Sequence, residues 1–310
     1  MRLFRGLHNI RPFAQGCVLT IGNFDGVHLG HQRVLSKLKQ QAAELTLPSA
    51  VMIFEPQPKE FFNAEGAPAR LTTLAEKLEL FQTQQIDAVA CMAFNPRFRG
   101  LSAQQFVEEV LVKGLNVKAL IVGDDFRFGC DRSGDFEFLQ KAGEQFGFSV
   151  TDTQTLQAEG QRISSTLIRS HLDEGDLEGA APLLGRDFTI SGRIAHGQKL
   201  GRQLGVPTAN TLLKRSKAPL NGVFAVNVRN EITDEIYEGV ANIGMRPTVG
   251  GSHAVLETHL FDFSGDLYGK RLTVLFKHKI RDEKRFDGLD ALKAAIQDDI
   301  QQAKAYFASC

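Results

Sequence analysis

The spacing of apolar residues divides the chain into two parts that meet near residue 185. In the first part, short apolar runs alternate with segments in which apolar residues recur every three or four positions. Continuous apolar strands that alternate with amphipathic helices are typical of a doubly wound parallel sheet. We therefore predict an N-terminal α/β domain of this kind over residues 1–184. Its predicted strands are 18–21, 50–54, 87–92, 119–122 and 148–151, and its predicted helices are 34–45, 73–81, 102–111 and 135–146.

In the second part, apolar residues occur in short runs that are typical of β-strands. Antiparallel strands separated by Gly, Asn and Asp turns at this spacing predict a small barrel or sandwich. Between Leu289 and Phe307, apolar residues step by three and four positions, which predicts one long closing helix. This β-rich domain covers residues 185–310. Its predicted strands, which are rich in β-branched and aromatic residues, are 188–194, 223–228, 237–243, 254–260 and 272–279.

Composition narrows the classes of partner. The 36 basic and 36 acidic residues balance, which gives no electrostatic reason to expect a nucleic acid or an anionic membrane. The four cysteines are widely spaced and form no C-x-x-C pair, so we expect neither a zinc site nor a disulfide framework. The first residues lack the apolar core of a signal peptide, and the longest apolar run, 88–94, is too short to span a bilayer. We expect a cytoplasmic protein with no obligate protein partner.

The segment Gly22–His31, GNFDGVHLGH, lies between the first predicted strand and the first predicted helix. A strand-to-helix turn presents backbone N–H groups and the positive end of a helix to a phosphate. If the helix begins near Val27, His28 and His31 face the same ligand. Imidazoles there can bind phosphate oxygens and stabilise the charge of a phosphoryl or nucleotidyl transition state. The candidate phosphate-binding residues beside the histidines are Gly22, Asn23, Phe24, Asp25 and Gly30.

Two further strand ends carry residues suited to a flat heterocycle. One is a rigid proline-containing exit at 54–58 followed by two phenylalanines, and the other is the segment 123–129, GDDFRFG. Aromatic rings and carboxylates at a strand end can stack on a heterocycle and hydrogen-bond to it. The alternative for Phe126 and Phe128 is that they are core residues. The candidate contacts are Pro56, Pro58, Phe62, Asp124, Phe126 and Phe128.

A fourth element is the segment 163–169, ISSTLIR. Ser164, Ser165 and Thr166 can cap the helix that follows and can offer hydroxyl groups to a phosphate. Arg169 carries a permanent charge whose fork suits a polyphosphate. The alternative is a plain N-cap with a solvated arginine. A second basic segment, Lys214–Lys217 (KRSK), is interpreted as a solvated turn.

The β-rich part has its own glycine-rich loop over residues 197–210. It lacks the G-K-[ST] ending of a Walker A loop, yet glycines beside basic side chains can wrap a polyphosphate. Thr208 and Asn210 alternate along a predicted strand, so their side chains share a face, and both are hard oxygen ligands suited to Mg²⁺. The alternative is an ordinary turn-rich connection. The candidate ATP contacts are Gly197, Lys199, Gly201 and Gly205.

Glu257 lies in the predicted strand 254–260 and shares a face with His259. A carboxylate that points inward from a strand is a candidate general base for a hydroxyl nucleophile. The alternative is a carboxylate at the rim that pairs with an arginine.

These segments resemble, over almost the whole chain, the bacterial bifunctional riboflavin kinase/FMN adenylyltransferases, or FAD synthetases. His28–His31 resembles the H-x-G-H signature of nucleotidyltransferases, and 205–210 resembles the P-T-A-N motif of the kinase. The resemblance implies that His28 and His31 hold MgATP while the phosphate of FMN attacks its α-phosphate. It also implies a six-stranded kinase barrel in which Thr208 and Asn210 hold Mg²⁺. Glu257 then deprotonates riboflavin, and Arg281, in the segment IRDEKRF, contacts flavin.

Two other hypotheses remain open. The chain can be a flavin- or nucleotide-binding regulatory protein that has lost its chemistry, or an enzyme in which one half is active. The presence of His28, His31, Thr208, Asn210 and Glu257 favours the enzyme with two activities.

Overall fold

The computed structural model describes residues 1–123, 125–153, 157–158, 161–196, 205–248 and 251–309. The chain forms two compact units, each of which is discontinuous in sequence. The first unit comprises Met1–Pro68 and Lys77–Ile163, and the second comprises Ala69–Glu76 and Ser164–Cys310.

The first unit is built on a six-stranded sheet in the order β1-β4-β3-β2-β5-β6, with every pair parallel. All five residues of β2 are buried, as a strand covered on both faces requires. The parallel sheet predicted from the sequence is therefore confirmed. Its strands are β1 (Arg2–Arg5), β2 (Cys17–Ile21), β3 (Ser49–Glu55), β4 (Ala88–Ala93), β5 (Val117–Val122) and β6 (Ser149–Asp152).

Helices connect these strands. A capping box forms at the start of α3, because the Thr73 N–H donates to the Glu76 carboxylate at 2.7 Å and the Glu76 N–H donates to the Thr73 hydroxyl at 3.4 Å. The helices are α1 (Leu29–Glu44), α2 (Pro58–Phe62), α3 (Leu74–Thr83), α4 (Pro96–Arg99), α5 (Ala103–Gln105, continued by a π-helix over Phe106–Val112) and α6 (Phe136–Phe146).

The strand order reverses direction between β2 and β5. From β2 the chain continues toward β3 and β4, whereas from β5 it continues to β6 on the other side. Open α/β sheets bind ligands at the carboxyl ends of the strands beside such a reversal. The turn Gly22–His31 follows β2, and the segment 123–129 follows β5, so the topology brings these two sequence motifs to the same edge of the sheet.

The second unit contains a closed antiparallel barrel in the order β10-β13-β12-β11-β14-β9. Its final helix packs on β11, β12 and β14 through a small core that includes Val223, Val240, Phe261 and Ala303. The antiparallel barrel and its closing helix are thus confirmed. The strands are β9 (Thr189–Ala195), β10 (Ala209–Thr211), β11 (Gly222–Asn230), β12 (Ile236–Thr248), β13 (Gly251–Leu260) and β14 (Arg271–Arg281). The helices are α7 (Ser165–Glu174), α8 (Leu177–Leu184) and α9 (Leu289–Ser309), and a short hairpin, β7 (Gln157–Ala158) with β8 (Gln161–Arg162), precedes them in the chain.

One prediction about this unit is wrong. Arg215, interpreted as part of a solvated turn, has a side chain that is 1% exposed and donates to the Glu76 carboxylate at 2.6 Å. The other Glu76 oxygen accepts from the Ser191 N–H at 2.7 Å. The segment Ala69–Glu76 supplies this carboxylate from a distant part of the chain, which is why the local basic pattern at 214–217 did not predict burial.

Candidate active sites

The turn between β2 and α1 has a backbone that few sequences adopt. Phe24, Gly26 and Val27 have φ values of 48°, 82° and 41°. Gly26 enters the left-handed region without steric penalty, whereas a β-branched residue such as Val27 does so at a cost of order 1–3 kcal/mol. Val27 is 1% exposed, so its burial helps to offset this strain. Strained backbone of this kind clusters at ligand-binding turns.

His28 and His31 are brought together at the end of this turn. Helix α1 begins at Leu29, five residues before the predicted range 34–45 and close to the start near Val27 that the shared face of the histidines requires, and His28 is its N-cap. The Nδ1 atom of His28 accepts the His31 N–H at 3.3 Å, and the two rings stack at 3.6 Å between centroids. A Cβ at position 30 would lie 3.1 Å from the His28 ring, so glycine there gives the ring its place. In neutral His28 this arrangement leaves the hydrogen on Nε2, where it can donate to a phosphate oxygen.

His31 is held neutral. Burial lowers its pKa well below the ordinary value, and the nearby charges of His28 and Lys77 lower it further. Its Nδ1 atom is enclosed and has no hydrogen-bond partner within the part of the chain that the structure describes. An enclosed polar atom without a partner costs free energy.

Two side chains of helix α3 contact the turn. The fully buried Lys77 donates to the carbonyl oxygen of Asn23 at 2.5 Å, and the fully buried Phe81 lies edge-on to the Phe24 ring at 5.6 Å. Asp25 is also buried.

The proline-containing exit from β3 leads to an exposed aromatic ring. The peptide bond between Glu55 and Pro56 is cis, and Pro58 opens α2. The Phe62 side chain at the end of α2 is 61% exposed, and the Arg99 guanidinium lies 5.2 Å from its ring centroid. An exposed ring beside a cation is suited to stacking on a heterocycle.

The segment after β5 combines packing with exposure. Phe128 is 8% exposed and belongs to the core, where it contacts Phe106 at 5.2 Å. Phe126 is half-buried and stacks on Phe128 at 5.5 Å. The alternative that these two rings are core or packing residues therefore holds for both, since Phe128 lies in the core and the half-buried Phe126 packs against it. Asp124 lies outside the described residues.

The segment ISSTLIR starts α7 of the second unit. The Ser164 hydroxyl accepts the Leu167 N–H at 3.2 Å, so this residue is an N-cap as expected. Ser165 is half-buried and Thr166 is exposed in the first turn. Arg169 donates through Nε to the Ala69 carbonyl oxygen at 2.6 Å.

In the barrel, strand register brings distant polar residues into one row. Asn210 on β10 pairs with Glu257 on β13, and Glu257 pairs with Asn242 on β12. Directly opposed residues of antiparallel strands lie on the same face with Cβ atoms roughly 4.5–5.5 Å apart. We define Asn210, Glu257 and Asn242 as the polar row.

The polar row lies on the outer face of the barrel. Leu256 and Thr258, which flank Glu257, are both fully buried, whereas Glu257 is half-buried. The sequence-based expectation that Glu257 points inward is therefore wrong, because its flanking residues Leu256 and Thr258 occupy the buried face of β13. His259 is on the same face as predicted, and its Nδ1 lies 2.8 Å from the Pro207 carbonyl oxygen.

A cavity of about 480 Å³ is lined by residues that directly precede Asn210 of the polar row. Thr208 lines it, together with Pro207 and with Phe263, Asp266 and Tyr268 from the connection between β13 and β14. The volume is within the range of small-molecule sites, roughly 300–1,000 Å³. Gly205, three residues before Thr208, is exposed. The other candidate ATP contacts of this loop, Gly197, Lys199 and Gly201, lie outside the described residues.

Arg281 is held by a residue that the sequence analysis missed. Its guanidinium donates to both carboxylate oxygens of Asp299 on α9, each at 2.7 Å, and lies 5.5 Å from the Phe286 ring centroid. Asp299 is 4% exposed, and no local pattern marks it.

Two other residues near the sites were missed. Asn242 joins the polar row only through strand register, which the sequence does not display. Lys77 had a signal, since it lies three residues after Leu74 and four before Phe81 and so occupies the apolar face of α3. A charge at such a position indicates a buried partner.

The strained turn with its stacked histidines lies in the first unit, and the barrel with the polar row and a cavity lies in the second, so the chain has two separate candidate active sites. The chain matches the family model for FAD synthetase over residues 10–167 and that for riboflavin kinase over residues 184–307. It belongs to the family of bifunctional riboflavin kinase/FMN adenylyltransferases.

Relatives of this description match over nearly their full length. The chain is 56% identical to the bifunctional riboflavin kinase/FMN adenylyltransferase of Pseudomonas fluorescens, over 98% of this chain and 97% of that protein. It is 50% identical to the protein of the same name from Haemophilus influenzae, over the whole of both chains. A solved Streptococcus pneumoniae protein described as a macrolide-efflux protein is similar at 29% identity and a TM-score of 0.80, over 96% of this chain and 97% of that one. None of the helices in the described part of this chain has the length and apolarity to cross a membrane.

Proposed function

We propose that this chain makes FAD in two steps. In the first, the 5′-hydroxyl of riboflavin attacks the γ-phosphate of ATP and yields FMN and ADP. In the second, the phosphate of FMN attacks the α-phosphate of a second ATP and yields FAD and pyrophosphate. The observation that carries this proposal is the match of consecutive parts of one chain to the FAD synthetase and riboflavin kinase models. These matches also support a division of the two catalytic domains near residues 184 and 185.

In the first step, Glu257 is the general base. Its half-exposed carboxylate on the outer face can reach a hydroxyl group outside the barrel wall, and Asn210 is its direct cross-strand neighbour. Thr208 and Asn210 would hold Mg²⁺, which neutralises charge on the ATP phosphates. The fit is supported by their hard oxygen atoms, by the partial exposure of both side chains, and by the cavity that Thr208 lines. The loop with Gly197, Lys199, Gly201 and Gly205 is assigned to the phosphates by resemblance.

In the second step, His28 and His31 stabilise the charge that develops on the phosphates during attack by FMN. A neutral His28 with its hydrogen on Nε2 is a donor, and His31 stacks on its ring at 3.6 Å. Residues Gly22, Asn23, Phe24, Asp25 and Gly30 shape the ATP turn. The flavin is assigned to Pro56, Pro58, Phe62, Asp124, Phe126 and Phe128. Ser164, Ser165, Thr166 and Arg169 are assigned to ATP, and Arg281 to flavin, by resemblance.

One assay tests both steps. The full chain is incubated with riboflavin and MgATP, and the flavins are separated by chromatography at successive times. We expect FMN to appear first and FAD to follow, and FAD to form when FMN is supplied directly. The absence of both products would contradict the enzyme and favour a binding protein without chemistry, whereas FMN alone would remove the second activity. Since both steps consume ATP, we expect the enzyme in the cytoplasm.

A further inference from the structure

Lys77 is a buried cation that neither reaction step described above uses. Its residue is 1% exposed, which makes it one of the largest fully buried side chains of the protein. Moving an ammonium ion out of water costs several kcal/mol even after the protein relaxes. A side chain retained at that cost must make compensating interactions, and one of them is with the turn Gly22–His31, where Nζ donates to the Asn23 carbonyl oxygen at 2.5 Å.

This hydrogen bond sets the orientation of one peptide plane. In a trans peptide the C=O and the following N–H point in opposite directions. Anchoring the Asn23 carbonyl on Lys77 therefore turns the Phe24 N–H away from α3. Among the hydrogen bonds of the described residues, none uses that N–H, so it is available as a donor in the turn.

The same helix face holds the next residue. Phe24 has a φ of 48°, a left-handed conformation that is sterically unfavourable for a residue with a Cβ. Its ring packs on Phe81, which lies four residues after Lys77 and so on the same face of α3. Asn23 and Phe24 are thus held by a polar and an apolar side chain of one helix.

The charge of Lys77 acts on the catalytic residue as well. Burial lowers the pKa of His31 most, and His28, from the same turn, and Lys77, from α3, lower this pKa further. A neutral His31 can stack on His28 at 3.6 Å without charge repulsion. Lys77 therefore supports both the backbone and the imidazole pair of the turn.

We propose that Lys77 is a positioning residue for AMP transfer, whose ammonium group holds the Asn23 carbonyl and so sets the conformation of the turn on which the ATP phosphates bind. This role rests on the proposed function for its readout in FAD formation. It requires no contact between Lys77 and the substrate, and it predicts an effect on the second reaction step alone.

The main test is Lys77→Met, which keeps the length of the apolar stem and removes the ammonium group. In the full chain we expect kcat/KM for ATP in FAD formation to fall about 10- to 100-fold with a raised KM, since small misplacements at a reacting centre are costly. FMN formation from riboflavin by the same sample should stay within about twofold. Lys141→Met is the matched control, because Lys141 pairs only with Glu137 on the surface and should leave both steps unchanged.

The charge of Lys77 is also expected to show in the titration of His31, whose pKa it helps to lower beside the larger effect of burial. Without the ammonium group we expect the pKa of His31 to rise, so the acid limb of FAD formation should move toward neutral pH. The same rise should be visible when the imidazole signals are titrated by NMR without any turnover. Lys77→Gln, which is neutral and one atom shorter, gives a second variant if the methionine variant unfolds, and it should show the same direction of change.

Two results overturn the proposal: FAD formation within twofold of the unsubstituted chain in a folded variant, or a loss of rate with an unchanged KM for ATP and an unchanged His31 titration. If the unsubstituted chain makes no FAD at all, the proposed function fails. The NMR titration then still decides the role of Lys77, so the two failures are distinguishable.

Discussion

The two candidate sites differ in how the sequence encodes them. The candidate ATP site of the first unit, the turn Gly22–His31, is formed by ten consecutive residues at the junction of one strand and one helix. The polar row of the barrel is formed by three strands, and its members lie at positions 210, 242 and 257. The first site depends on local backbone conformation, with Phe24 and Val27 at positive φ, whereas the second depends on strand register.

This difference determines how each site can fail. A one-residue slip in a strand pairing moves every side chain of that strand to the other face, so register either preserves the polar row or destroys it. A turn can be distorted by degrees, because its donors shift with each peptide plane. We therefore expect all-or-none effects from the key residue of the barrel and graded effects from the supports of the turn.

The largest effect is expected for Glu257→Ala. Removal of the general base should lower the rate of FMN formation about 10²- to 10⁴-fold. FAD formation from supplied FMN should continue, because the histidine turn belongs to the first unit. Chromatography of the flavins with each substrate measures both rates. The control is Glu238→Ala, an exposed residue of the neighbouring strand β12, and loss of both steps in Glu257→Ala would contradict independent sites.

The stability of the second unit should depend strongly on Glu76, which comes from the distant segment Ala69–Glu76. Glu76→Gln leaves the buried Arg215 side chain, which is 1% exposed, without its carboxylate. Breaking a buried ion pair in this way costs roughly 3–5 kcal/mol of unfolding free energy. Chemical denaturation should show this loss, and Glu137→Gln, which breaks an exposed pair with Lys141, should leave the stability essentially unchanged. Equal effects of the two substitutions would contradict the importance of burial.

Loss of both histidines of the turn should lower the rate of FAD formation strongly and leave FMN formation unchanged. His28→Ala combined with His31→Ala should lower FAD formation about 10²- to 10³-fold, the usual range for removing transition-state donors. FMN should accumulate at its normal rate. Flavin chromatography over time measures this, and FAD formation at the normal rate would show that the site is assigned to the wrong residues.

The same contrast explains how much the sequence revealed. The turn could be predicted from the sequence alone, because a strand, a glycine-rich segment and a helix are local patterns. The antiparallel barrel was predicted as a class, yet the inward orientation of Glu257 was wrong, since the faces of β13 are decided by Leu256 and Thr258 in the closed barrel. Arg215 was misplaced and Asp299 missed for a related reason: their partners, Glu76 and Arg281, come from distant parts of the chain.

The smallest effect concerns the pH dependence of stability, and it too should separate the units. His31 has a lowered pKa in the folded chain, so below the ordinary histidine value of about 6.5 the unfolded state binds a proton that the folded state does not. Stability of the first unit should therefore fall as the pH drops from 7 toward 5, by at most about 1.4 kcal/mol per pH unit from this group. Hydrogen exchange of the β2 amides measures it.

His31→Asn should flatten this dependence, because the titrating group is removed while a polar side chain remains. His8→Asn is the matched control, since His8 is exposed on the surface of the same unit. Exchange of the β11 amides in the barrel should be unchanged by either substitution. If His31→Asn left the slope of the β2 amides as it was, the neutral imidazole would not be the source of the acid sensitivity. The turn would then owe its geometry to the contacts of Asn23 and Phe24 with α3 alone.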